Sequence, residues 1–116
     1  MIDDEADLTF MVKNRLQKNG LLVVTAVNGE EGILLAKTER PEVILLDIMM
    51  PGIDGYETLR RLKQSADTKL IDVIMMSAKV QLSDIDRALH EGARDYITKP
   101  IDAALLATKL KALSAV

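Results

Sequence analysis

Acidic side chains stand where they could share one reaction site. Asp3 and Asp4 lie side by side near the start of the chain with Glu5 directly behind them, Asp47 ends the apolar run VILLD, and Ser77 and Lys99 end two further apolar runs. Neighbouring carboxylates raise one another's pKa, so gathering Asp3, Asp4 and Asp47 calls for a counterion. A hard divalent cation with oxygen ligands is the simplest one, and Mg²⁺ suits because it takes one or two carboxylates, keeps several waters and shares its other positions with a phosphoryl oxygen. Lys99 is a mobile point charge for a second phosphoryl oxygen, and Ser77 can donate a hydrogen bond to a third. Phosphoryl transfer needs mostly positioning and charge neutralisation, which this set supplies. One carboxylate can then serve as nucleophile and become an aspartyl phosphate.

Such residues act together only if the fold brings them to one edge. Four apolar runs of strand length, LLVVTA (21–26), VILLD (43–47), DVIMMS (72–77) and DYITK (95–99), are nearly continuous rather than alternating, as expected of strands covered on both faces in a parallel sheet. Amphipathic helices separate them. Leu8, Met11, Val12 and Leu16 mark the first, which Gly20 should close. Asn28 can cap the second, with Glu31 reaching back, and that helix must end before Pro41. Leu59 and Leu62 mark the third; Ile85, Ala88 and Leu89 mark the fourth, which begins near Ser83 and stops at Gly92. Asp102 can cap a fifth, with Leu106, Leu110 and Leu113 on one stripe. This α-β-α-β-α-β-α-β-α order implies an open parallel sheet with helices on both sides, whose ligands bind beyond the carboxyl ends of the strands. Asp47, Ser77 and Lys99 would meet there, and Asp3 and Asp4 would join them if a strand preceded them.

Composition narrows the chemistry. The 116 residues suit one domain, and 48% hydrophobic with 28% charged residues is the balance of a soluble globular chain. No apolar run approaches the roughly 20 residues of a membrane span, and neither a signal peptide nor a lipidation motif is visible. The absence of cysteine excludes disulfides, thiolate zinc sites and cysteine nucleophiles and is compatible with the expected cytoplasmic location. His90 is the only histidine, so no multi-histidine metal site can form within one chain. The net charge of −3, without a basic block and with Phe10, Tyr56 and Tyr96 as the only aromatics, argues against direct nucleic-acid binding.

The segments DD (3–4), LLDIMMPGIDG (45–55), MMSAK (75–79) and DYITKP (95–100), in this order and spacing, together resemble the receiver domain of two-component response regulators of the chemotaxis-regulator type. The resemblance covers essentially the whole chain, 1–116, as one phosphoacceptor domain. It implies an α/β, flavodoxin-like open parallel sheet of strand order 2-1-3-4-5 with helices on both faces; the order comes with the family, since periodicity alone does not fix it. It further implies Asp47 as phosphoacceptor, Asp3 and Asp4 as the acidic Mg²⁺ pair, Asp4 the more direct, and the backbone carbonyl of Met49 as a further ligand. Ser77 corresponds to the hydroxyl switch residue, Lys99 to the phosphate-pairing lysine, Tyr96 to the aromatic that changes rotamer with Ser77, and Lys99-Pro100 to a cis peptide. Met49 and Lys79 occupy the positions where the family tunes dephosphorylation. The implied donor is a histidine kinase or histidine phosphotransfer protein. The implied output is a changed surface of the fourth helix, last strand and fifth helix, facing an output domain or a second copy. Such a domain catalyses its own phosphorylation and slow hydrolysis yet acts as a switch, not a metabolic enzyme.

Duller explanations exist for each residue. Asp3 and Asp4 could simply face the positive end of the first helix. Asp47 precedes a Pro-Gly turn where Asp is common, and Tyr96 could be core. His90 is expected on a solvated face, and the methionines as core filling. The main rival function is a phosphorylation-independent interaction module that keeps the fold. A hydrolase of the haloacid dehalogenase type would want a DxDx[TV] loop, whereas Ile48 and Met49 follow Asp47. One expectation is structural: only Met1 and Ile2 precede the acid pair, so the central first strand should be truncated, or its slot filled by another segment, as in exchange between protomers.

Overall fold

The computed structural model describes residues 1–78 and 82–114; Lys79 lies outside the described residues. Along the chain run α1 (Ala6–Lys18), α2 (Gly29–Glu39), β1 (Val43–Asp47), α3 (Gly55–Gln64), β2 (Asp72–Ser77), α4 (Leu82–His90), β3 (Asp95–Thr98) and α5 (Ala103–Ser114). Short-range chemistry sets most helix ends. The Asn28 side chain accepts from the Glu31 amide at 2.8 Å, Asp54 from Glu57 at 2.9 Å, and Asp102 from Ala104 and Leu105 at 3.1 Å. After α1, Gly20 takes φ +84°, the Leu21 amide donates to the Leu16 carbonyl, and the Gly20 amide donates to Gln17. This paired closure needs a left-handed residue, which glycine supplies without a Cβ penalty.

The strands β1, β2 and β3 pair in that order and in parallel, with Val43 opposite Asp72 and Ile74 opposite Asp95. Their side chains alternate between two cores. Ile44, Leu46, Val73 and Met75 pack with α2, α3 and α4, while Leu45, Ile74 and Met76 pack with Val12 and Leu16 of α1 and with Leu106 and Leu110 of α5. Helices therefore cover both faces, which is why these strands read as continuous apolar runs.

The expectation for residues 21–26 needs correction: they do not form a strand along their length. Only Ala26 pairs, through an isolated parallel bridge to Ile2, which bridges Leu46 on its other side. The Ile2 amide donates to Leu45 at 2.7 Å and its carbonyl accepts from Asp47 at 3.0 Å; toward the other side, Ala26 donates to Met1 and Asp3 donates to Ala26. Met1–Asp3 thus occupy the central position, and the order across the sheet is residues 24–26, residues 1–3, β1, β2, β3, which is 2-1-3-4-5 by segment. Of residues 21–24, only Val24 reaches a neighbouring strand segment among the described residues, its carbonyl accepting from the Met1 ammonium at 2.8 Å. Leu22 is fully exposed, and a cleft of about 510 Å³ opens between this stretch and β1, with Leu16 and Leu110 among its walls. The last strand also ends one residue early, at Thr98.

Ile2 is 3% exposed and belongs to the core under α2. A Cβ added at Gly32 would meet its side chain, with Ile2 Cγ1 only 2.6 Å away. Ile2→Ala is expected to cost about 2–5 kcal/mol in urea unfolding, and Gly32→Ala about 1–3 kcal/mol through overpacking. In the Ile2→Ala background the sign at Gly32 should reverse, alanine now adding up to about 1 kcal/mol from helix propensity. Simple additivity of the two substitutions would refute this contact.

Candidate functional site

Strand register brings the reactive groups to one edge. Asp47 lies opposite Met76, so Ser77 projects one residue further, and Thr98 lies opposite Ser77, so Lys99 follows at the same edge. The pairing continues past the strand ends: the Ile48 amide donates to Met76 at 3.0 Å and the Lys99 amide to Ser77 at 2.8 Å. Asp3 arrives through the Ile2 bridge to Leu46, one residue before Asp47. The floor under Asp47 is tight. The Gly55 amide donates to Ile48 at 2.8 Å, and a Cβ at Gly55 would overlap the Asp47 carbonyl, so α3 can start this close only with glycine there.

Carboxylate oxygens of Asp3, Asp4 and Asp47 all lie within 4.8 Å of one another, with Asp3 and Asp47 buried and Asp4 exposed. Lys99 Nζ stands among them, 3.0 Å from Asp3 Oδ2 and 3.4 Å from Asp47 Oδ1, and it donates a 2.9 Å hydrogen bond to Glu5 Oε1. Asp3 Oδ1 accepts from the Glu5 amide at 2.9 Å. Its buried Oδ2 has no partner of hydrogen-bond geometry despite the nearby ammonium. An unmet carboxylate oxygen in a set of hard oxygen donors fits a divalent cation such as Mg²⁺.

Electrostatics agree with that reading. Burial, then the charge of Asp3, push Asp47 from its usual value of 3.8 up to about 6, against the opposing pull of Lys99 and of the Met49 amide. Burial pulls Lys99 down, but the hydrogen bond to Glu5, the close contact with Asp3 and the charges of Asp3 and Asp47 outweigh it, and Lys99 ends well above its ordinary range. One ammonium therefore does not neutralise the cluster.

Beside Asp47, a pocket of about 190 Å³ is lined by Ile48, Met49, Tyr56, Ser77, Arg87 and Tyr96, among others. Ser77 is buried at its edge, and Tyr96 is only 9% exposed, so its ring already lies inward. Met49 is 63% exposed while Met50, Met75 and Met76 are buried. His90 is exposed, and the Lys99-Pro100 peptide is cis. Two participants carry no signature in the sequence. Glu5 is there no more than the third acid of the opening run, and its partner lies 94 positions away. Arg87 lies 3.8 Å above the Tyr56 ring, tying α4 to α3, and the Tyr56 hydroxyl donates to the Asp84 carbonyl at 3.4 Å. No spacing rule marks either contact.

Comparison with known proteins gives a consistent answer. Residues 1–111 match the family described as response regulator receiver domain. The chain is 40% identical to protein PilH of Pseudomonas aeruginosa over 116 residues, all of this chain and 93% of that protein. It is 34% identical over 113 residues to the alkaline phosphatase synthesis transcriptional regulatory protein PhoP of Bacillus subtilis, covering 97% of this chain but 46% of that one. Among solved structures, a putative response regulator from Chloroflexus aurantiacus superposes with TM-score 0.91 at 30% identity, over 99% of this chain and 94% of that one. The chemotaxis protein CheY4 of Vibrio cholerae superposes with TM-score 0.90 at 26% identity, over 97% and 93%. The chain belongs to the response regulator receiver domain family, whose members are phosphoacceptor switches of two-component signalling.

Proposed function

We propose that Asp47 is the acceptor of this receiver domain. The observation that carries the reading is the cluster of Asp3, Asp4 and Asp47 carboxylates within 4.8 Å, with Lys99 Nζ 3.4 Å from Asp47. An Asp47 oxygen attacks phosphorus, and the P–N bond of a phosphohistidine on a histidine kinase or phosphotransfer protein breaks, its electron pair staying on the imidazole. Asp3, Asp4, Asp47 and the Met49 carbonyl would hold Mg²⁺, which when bound supplies positive charge for the phosphoryl oxygens. Lys99 pairs with one such oxygen, and the Ser77 hydroxyl donates to another. Slow hydrolysis of the aspartyl phosphate belongs to the same site.

Phosphorylation biases an existing equilibrium rather than creating a new state. Tyr96 is already buried beside Ser77, so drawing Ser77 toward a phosphoryl oxygen holds the inward ring and fixes the face formed by α4, β3 and α5. Leu89 and Leu105 lie exposed on these helices, and the partner of that face is an output domain or a second copy. No described helix is long and apolar enough to cross a membrane.

With a small acyl phosphate and Mg²⁺, the chain is expected to take up one phosphoryl group, lost in Asp47→Asn and on chelation; full labelling of that variant would exclude Asp47. Beryllofluoride should bind only with Mg²⁺, and a complete lack of response would instead favour the phosphorylation-independent module.

The raised pKa of Asp47 also predicts a pH dependence. Between 3.8, its usual value, and about 6 the folded chain holds a proton at Asp47 that the unfolded chain has lost, so this group's contribution to stability falls as pH rises through that window. In chelator at pH 7, Asp47→Asn should be more stable than the parent by about 1 kcal/mol after allowance for solvent screening, and the gain should vanish below about pH 4. Urea midpoints across that range measure it.

A further inference from the structure

Lys99 makes its shortest contact with a residue outside the metal-binding cluster. Glu5 Oε1 accepts from Lys99 Nζ at 2.9 Å, against 3.0 Å to Asp3 and 3.4 Å to Asp47. The backbone of Glu5 is fixed: its amide donates to Asp3 Oδ1, and its carbonyl accepts from the Thr9 amide and hydroxyl, both at 3.0 Å. Glu5 stands at the N-cap of α1, yet its side chain makes no capping bond. It reaches across the site to Lys99 instead, with its side chain 60% exposed and that of Lys99 only 13%.

We propose that Glu5 is a positioning residue that holds Lys99 in the resting site and competes with the phosphoryl group for it. The inference rests on Asp47 being the acceptor. A phosphoryl group arriving on Asp47 brings anionic oxygens within reach of Lys99. The ammonium must then turn from Glu5, whose own charge at the rim also opposes the incoming anion. Because Glu5 is exposed, the competition is weak and easily overcome, setting how readily the site accepts its charge and not whether it can.

Beryllofluoride titration with saturating Mg²⁺ tests this by binding alone, read by calorimetry, and acyl-phosphate labelling gives the rate. Glu5→Gln should bind beryllofluoride about two- to fivefold more tightly and label faster by a similar factor, the range an exposed ion pair allows. The gain should shrink in about 1 M salt, where the screening length falls to about 3 Å. Glu5→Asp keeps the rim charge but is one methylene too short for Lys99, so it should show part of the Glu5→Gln gain. Unchanged or weaker binding in Glu5→Gln overturns the proposal, since a merely structural role predicts loss. A Glu5→Asp variant equal to the parent beside an improved Glu5→Gln also overturns it, leaving only the rim charge. A parent chain that binds no beryllofluoride overturns the acceptor reading itself, and the competition with it.

Discussion

Two buried carboxylates, Asp3 and Asp47, share one ammonium, and that imbalance organises the molecule. Lys99 is close to both, at 3.0 and 3.4 Å, yet Asp47 still sits near a pKa of 6 because burial and its acidic neighbour outweigh the cation. A fold selected for stability alone would separate such groups or replace them with apolar ones. Here the backbone forces them together: parallel register sets Asp47 and Lys99 on either side of Ser77, the Ile2 bridges deliver Asp3, and the bare Cα of Gly55 lets α3 press against Asp47. The unmet charge is the part a cation and a phosphoryl group can complete, so the energy that the resting state lacks is available to binding.

Support for this arrangement is uneven. β1 and β2 are buried on both faces and paired along their length, whereas the central segment between Ala26 and β1 consists of Met1–Asp3 alone. Ile2 compensates by serving both edges with main-chain bonds while its side chain fills the space that Gly32 leaves open in α2. Precision at Asp3 is therefore borrowed from one well-packed residue next to it.

Much of this is legible in the sequence because it is local. Asn28 and Asp102 cap the helices that follow them, Gly20 closes α1, and the runs 43–47 and 72–77 are strands to the residue. Sequence reasoning fails at 21–26, where five aliphatic or β-branched residues in a row satisfy every intrinsic preference for a strand; a strand also needs a partner row, and only Ala26 faces one. Periodicity sees side chains, not the neighbour across the sheet. The reach of Glu5 to Lys99 and the stacking of Arg87 on Tyr56 are hidden for the same reason, being meetings of distant segments. The meeting of Asp3, Asp4, Asp47, Ser77 and Lys99 at one edge is anticipated because four short motifs, each ending a strand or following one, are fixed jointly by the parallel register.

The position of Met1 has a practical side. Its ammonium donates to the Val24 carbonyl at 2.8 Å inside the sheet, and burial pushes its pKa down to about 6. Any polypeptide joined ahead of Met1 turns that amine into an amide beside the cleft between residues 21–24 and β1, whose walls include Met1. An affinity tag placed there is no passive handle: it exchanges a charged donor for a neutral one in the segment that also carries Asp3.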